Sequence, residues 1–206
     1  PQSTEDTFAA CQALVSCPVG SIGTHHNPPE TKKAIESFPL LVEAPVYHCG
    51  FHSRLSYGAT SYLIQRPTGN VLVDSPRFAT PLVKRIEAMG GIKYLYLTHR
   101  DDVGDHEHFH NHFGCDRIIH KDDLLPKKRK IETVLEGTDP IPFEQDMKIL
   151  PVPGHSEGHT VLLYDEKFLF SGDHLAWSDE LKQLYAFRNA LWYSWPEQIK
   201  SMKTLS

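Results

Sequence analysis

The chain has 206 residues, 40% of them hydrophobic, which is enough for one sizeable domain with a buried core and a small appendage. Its formal net charge is −5, and its one strongly basic run is Lys127-Lys128-Arg129-Lys130. That balance excludes a nucleic acid or an anionic membrane surface as the principal partner, because either needs a basic face. No apolar run reaches the length of a membrane helix and no secretory signal is visible, so no membrane insertion is expected. Four scattered cysteines, Cys11, Cys17, Cys49 and Cys115, are too few for a disulfide scaffold and read as reduced thiols of a soluble intracellular protein. The chain begins at Pro1 and not at Met, so its N-terminus is expected to be missing or processed.

Residues 4–16 are predicted helical, with acids in the first turn and Phe8, Cys11, Leu14 and Val15 on one face; Cys17-Pro18 ends the helix. From Gly20 to Pro45 the Gly and Pro content predicts a linker, which divides residues 1–45 from a main domain at 46–206. That domain opens with strands at 46–48, 59–65 and 71–74 and a helix over 79–89 stopped by Gly90-Gly91. A strand at 92–97 follows, so a right-handed strand–helix–strand crossover is expected. Further along come a helix at 105–113, strands near 117–119, 131–136, 147–152, 160–164 and 167–171, and a closing helix from Pro196.

The span 92–112 carries the densest chemistry. Its first half is nearly all apolar, as in a strand covered on both faces, and His99, Asp101, Asp102, Asp105 and His106 then follow within eight residues. Three carboxylates alone would read as a solvated turn. Bracketed by two histidines they would repel one another without a counter-charge, so a bound cation is the economical reading. The chain holds 13 histidines, six of them between His99 and His120. His108, His110 and His112 are assigned to a solvent face, and His48, His52, His120 and His174 to ordinary surface or core positions.

A second cluster lies at 150–174. His155 follows Pro153-Gly154, His159 follows Gly158, and Asp173 follows Ser171-Gly172. Small residues at strand ends are where rigid scaffolds present reactive side chains. Trp192, Tyr193 and Trp195 near the final helix read as core packing, with a pocket wall as the alternative.

Together these motifs resemble those of the metallo-β-lactamase-fold metallo-hydrolases of the glyoxalase II-like kind. The T-H-x-H-x-D-H motif is matched by Thr98-His99 and Asp105-His106, and the later turns by Pro153-Gly154-His155 through Gly158-His159 and by Ser171-Gly172-Asp173. The likeness runs from about Val46 to the end. It implies an α/β fold, the αββα sandwich, and one or two divalent ions, Zn, Fe or Mn. It also implies that His99 and His155 hold the first ion, that Asp105 and His106 hold the second, and that Asp173 bridges them. The first motif departs from the family pattern, since it is two residues longer and lacks its second histidine; Asp102 is assigned to that place, with Asp101 as the alternative. An oxygen donor there favours iron or manganese over zinc. The family's last ligand turn is not reached before Ser206, so the domain is expected to be incomplete at its C-terminus.

Cys17-Pro18-Val19-Gly20-Ser21-Ile22 resembles the closing cysteine motif of a single-cluster bacterial-type ferredoxin. That resemblance implies a ferredoxin-like remnant with Cys17 as a cofactor ligand, and an iron–sulfur cluster if further thiolates lie upstream. The expected function is hydrolysis of a small-molecule thioester or ester by a metal-bound hydroxide, with Asp105 as the catalytic residue orienting it. Two alternatives are an iron-dependent redox protein with a redox partner and a metal-binding interaction module that has lost catalysis. The ferredoxin-fused members of the family set the expected location as the plastid stroma in a plant or alga, and the cytoplasm otherwise.

Overall fold

A computed structural model describes residues 3–26, 28–124 and 130–205; Lys127, Lys128 and Arg129 of the basic run lie outside the described residues. The chain forms two compact units, Pro1–Tyr96 with Asp101–Arg117, and Leu97–Arg100 with Ile118–Ser206. No helix among the described residues is long and apolar enough to cross a membrane.

The first unit holds helices α1 (Thr4–Ser16), α2 (Glu30–Ser37), α3 (Thr80–Ala88) and α4 (His106–Phe113). Its strands β1 (Leu40–Glu43), β2 (Val46–His48), β3 (Tyr62–Ile64), β4 (Val71–Val73) and β5 (Tyr94–Tyr96) hydrogen-bond in that order. All neighbours are antiparallel except β4 and β5, which run parallel with Val71 opposite Tyr94 and Val73 opposite Tyr96. A parallel pair needs a crossover, and α3 supplies it by burying Leu82, Val83 and Ile86. Every residue of β4 is buried, which is why its sequence shows no polar alternation. After α3 the chain turns through Gly90 and Gly91, both at positive φ. The Asn70 amide closes the helix end by donating to the carbonyls of Met89 (3.0 Å) and Gly91 (2.8 Å).

At the N-terminus, Ser3 and Asp6 form a capping box for α1. Two elements form where the sequence predicts a linker. α2 buries Ala34, and β1 pairs with β2, Leu41 opposite Tyr47, across residue 45. The prolines that suggested a linker border these elements instead, Pro29 capping α2 and Pro39 preceding β1, where a missing N–H costs nothing.

Strand β6 (Asp116–His120) begins in the first unit and ends in the second, where β7 (Thr133–Leu135) pairs with it in parallel, Ile118 opposite Thr133. The second unit also contains an antiparallel sheet in the order β11-β10-β9-β8, from β8 (Ile141–Glu144), β9 (Met147–Pro151), β10 (Thr160–Tyr164) and β11 (Phe168–Phe170). A hairpin of β12 (Ala176–Ser178) and β13 (Gln183–Tyr185) and helix α5 (Trp195–Thr204) complete it. β8 escaped the sequence reading because it carries Pro142. It is an edge strand whose register shifts beside that proline, which is where a strand tolerates one.

Candidate metal centre

Two turns and a 3-10 segment of the second unit build the centre. The Leu97 N–H donates to the Ile118 carbonyl (2.9 Å), and the Thr98 carbonyl accepts from the Thr160 N–H (2.9 Å). His99 therefore leaves the sheet at a fixed point, fully buried. Its Nδ1 lies 3.0 Å from the Thr98 hydroxyl. With the proton on Nδ1, that contact leaves the Nε2 lone pair facing Asp173.

The turn carrying His155 is equally fixed. Val152 N–H donates to the His159 carbonyl (2.8 Å), the Gly154 N–H to the Ser156 carbonyl (3.0 Å), and Ser201 Oγ to the Pro153 carbonyl (2.8 Å). A Cβ on Gly154 would lie 2.7 Å from the Gln198 Cα, so helix α5 packs where only glycine fits. The His155 carbonyl accepts from the Trp192 and Tyr193 N–H groups (2.8 and 3.1 Å). Gly172, at φ +49°, brings the next segment so close to Thr98 that a Cβ would come within 2.6 Å of its hydroxyl.

These constraints bring together three of the residues singled out from sequence. His99 Nε2 and His155 Nε2 lie 3.8 and 3.7 Å from Asp173 Oδ2, and a ring nitrogen of each histidine lies within 4.8 Å of the other's. Two imidazoles and one carboxylate facing a common point are the donor set of a divalent transition metal, and three protein ligands leave a position open. The residues present therefore fit the ion. Asp173 is 45% exposed while both histidines are buried, so the point is reached from one side.

Around these donors lie two further histidines. The His159 ring stacks on His99 with centroids 4.8 Å apart, and His174 lies 5.9 Å from His159. Both are fully buried, and none of their four ring nitrogens has a hydrogen-bond partner among the described residues. Burial first, then the neighbouring His99, His174 and His155, hold His159 well below the usual histidine range. Burial and His155 lower His174 to about 4. Both rings stay neutral and keep positive charge away from an incoming cation.

Asp123 is the residue that sequence reading missed. It is buried, and its carboxylate accepts from the Ser156 hydroxyl, the Gly158 N–H (2.9 Å) and the Arg100 N–H (3.1 Å). One side chain thus fastens the turn after His99 to the turn after His155. The only signal in sequence is an Asp pair, Asp122-Asp123, after a buried strand, and that reads as a solvated turn.

The remaining candidates lie in the first unit. Asp102 is buried and its carbonyl accepts from the Ser75 N–H (3.1 Å). Asp105 immediately precedes α4, and its Oδ2 accepts from the Phe78 N–H (2.7 Å). Between them Gly104 is obligatory, because a Cβ would lie 2.9 Å from the Ser75 carbonyl oxygen. His106 is buried, with its Nδ1 3.3 Å from the Arg117 guanidinium. Arginine only donates, so Nδ1 accepts and the ring proton sits on Nε2. Ligation through His106 Nε2 therefore requires that proton to move to Nδ1 and Arg117 to let go. Farther along α4, His110 Nδ1 meets the Cys115 carbonyl (2.8 Å) and His112 Nε2 meets Glu87 (2.7 Å). Cys17 follows α1 with its thiol 3.4 Å from the Ser21 hydroxyl; that contact and the N–H groups of Ile22 and Val19 lower it to about 6.

The aromatic residues before α5 are not core packing. Trp192 and Tyr193 are 63% and 47% exposed, and the Trp192 ring stands edge-on to His155 at 6.3 Å. A neighbouring cavity of about 210 Å³ is lined by His120, Glu157, His159, Tyr193 and Glu197 among others.

No protein-family model matches the sequence. A hydroxyacylglutathione hydrolase from Rhodospirillum rubrum is 30% identical over 119 residues, 55% of this chain and 46% of the relative. The chain thus spans about half the length of that curated relative. Among solved structures, TTHA1623 in a di-iron-bound form matches with a TM-score of 0.58 at 23% identity, over 71% of this chain and 80% of that one. The BLEG-1 B3 metallo-β-lactamase matches with a TM-score of 0.60 at 16% identity, over 77% and 83%. Mixed sheets, helices and turn-borne donors thus belong to one class: the chain has the metallo-β-lactamase fold, as its motifs imply. An archaeal superfamily protein from Sulfolobus tokodaii shares it with a TM-score of 0.53 at 19% identity, over 71% and 69%.

Proposed function

We propose that this protein is a metal-dependent hydrolase of a small-molecule thioester or ester. The observation that carries the reading is the convergence of His99, His155 and Asp173 on one partly open point. The likeness to a relative named hydroxyacylglutathione hydrolase supports an acyl substrate, and the likeness to a protein solved with two irons supports iron alongside zinc or manganese.

A divalent ion held there supplies a water-derived nucleophile at neutral pH and polarises the acyl carbonyl. The chain's own residues do the rest. Thr98 fixes the His99 ring so that its lone pair is presented without a search over rotamers. His159 and His174 remain uncharged, so the donors face no competing positive charge. Trp192 and Tyr193 offer an exposed apolar wall beside His155 against which the substrate's non-reacting part can lie. Under the same reading Asp105 and His106 would hold a second ion, and Asp105 would orient the attacking water.

The test is elemental analysis of purified protein together with turnover of model acyl thioesters and esters. Turnover that requires iron, zinc or manganese and is lost in His99→Ala, His155→Ala and Asp173→Asn supports the reading. Stoichiometric metal without turnover on any acyl substrate would overturn the hydrolase. A redox role is favoured by one observation, the donors that gather on the Cys17 thiol, and acid-labile sulfide in the same analysis decides it.

A further inference from the structure

A second pair of histidines lies outside the centre just described, in the first unit. His48 ends β2, and His52 stands four residues on, ahead of a 3-10 turn at Arg54–Ser56. Between them Gly50 and Phe51 take left-handed backbone, φ +58° and +45°, which folds the chain back on itself. Gly50 is obligatory, since a Cβ there would run into the Phe38 ring. The result is that His48 Nε2 and His52 Nε2 face one another 3.2 Å apart. We propose that His48 and His52 form a two-imidazole site for a divalent transition metal, Cu²⁺, Zn²⁺ or Ni²⁺, neither residue being among the donors His99, His155 and Asp173.

The geometry is that of a chelate. With metal–nitrogen bonds of about 2.0–2.1 Å, a 3.2 Å separation between the two nitrogens gives a nitrogen–metal–nitrogen angle of about 100°, between square-planar and tetrahedral. In the metal-free protein one ring proton bridges the nitrogens. Binding moves that proton to Nδ1 of the same ring, so both Nε2 lone pairs turn to the ion and no net proton is lost.

The surroundings hold this arrangement before an ion arrives. The loop backbone is tied at three points: Cys49 N–H to the Ser61 carbonyl (2.9 Å), His52 N–H to the Ser16 carbonyl (3.2 Å) and Arg77 N–H to the Phe51 carbonyl (2.7 Å). Phe38 meets the His48 ring edge-on at 5.8 Å, and Tyr62 tilts towards it at 6.0 Å. Burial lowers both imidazoles, and His52 lowers His48 further, so both are neutral near pH 7, as ligation requires. Both side chains are only half-buried, so water completes the coordination, and a site with two nitrogen donors takes Cu²⁺ before Zn²⁺.

The experiment titrates Zn²⁺, then Cu²⁺, into the metal-depleted full chain while following histidine ring resonances by ¹⁵N NMR and stoichiometry by elemental analysis. The Nε2 signals of His48 and His52 should move together on adding one equivalent beyond those taken by the His99 centre. His48→Gln and His52→Gln should each lose that equivalent and no other, and His99→Ala should keep it. Unmoved Nε2 signals in the wild-type protein at saturation, or the same stoichiometry in a folded His52→Gln variant, would overturn the site. Neither result touches the hydrolase reading, which stands or falls on His99.

Discussion

The Asp123 carboxylate accepts a hydrogen bond from the Ser156 hydroxyl in a buried contact and, through those from the Gly158 and Arg100 N–H groups, ties the turn after His99 to the turn after His155. Asp123→Ala leaves a buried hydroxyl and two N–H groups without an acceptor. A loss of about 3 kcal/mol or more is expected, read from urea unfolding, together with reduced metal content. Asp123→Asn keeps an acceptor oxygen and should lose less.

Gly172 separates packing from ligation at Asp173. Its φ of +49° and the 2.6 Å that would separate an added Cβ from the Thr98 hydroxyl predict that Gly172→Ala costs about 1–3 kcal/mol. Because the strain falls on the residue before Asp173, metal affinity should drop even where the variant remains folded, as checked by competition with a chromophoric chelator.

Acid stability follows from His159 and His174. Both are held below the ordinary histidine value of 6.5, His174 at about 4, so on acidification the unfolded chain takes up their protons first. The stability they give the metal-free protein is complete above about pH 6.5 and is lost as the pH falls, for His174 through about 4. For His174 that span is worth up to about 3 kcal/mol. Urea midpoints measured against pH should show the decline, and His174→Gln should flatten part of it.

Thiol reactivity should divide the cysteines. The donors around Cys17 hold it at about 6, while burial pushes the Cys49 thiol far up. Alkylation of Cys17 by a small electrophile should rise with pH about a midpoint near 6 and plateau by neutrality. Cys49 should react only on unfolding, and mass spectrometry of the labelled peptides reads both.

His106 should change tautomer with metal. The Arg117 contact places its proton on Nε2 in the metal-free protein, and ligation through Nε2 demands it on Nδ1. Ring ¹⁵N shifts before and after loading with Zn²⁺ test this; an Nε2–H ring in both states rules out ligation through Nε2.

Much of this was legible in sequence because glycines and prolines mark turns and apolar runs mark buried strands. Pro153-Gly154-His155 and Ser171-Gly172-Asp173 announced their positions through Gly154 and Gly172, where an added Cβ would clash. Asp123 was not legible, since a carboxylate that accepts three buried hydrogen bonds has the same letter as one in solvent. α2 and β1 were hidden by prolines that border elements as readily as they break them. Trp192 and Tyr193 illustrate a different limit: aromatic character says how much area can be buried, not whether it is.

Residues 97–100 belong to the second unit although 101–117 return to the first. The nascent chain therefore makes His99 well before the turns that bear His155 and Asp173. At synthesis rates of about 5–20 residues per second, His99 waits on the order of seconds before His155 and Asp173 exist to share its point of convergence. The ribosome thus delivers the three donors in an order that leaves their common point incomplete until the second sheet has been made.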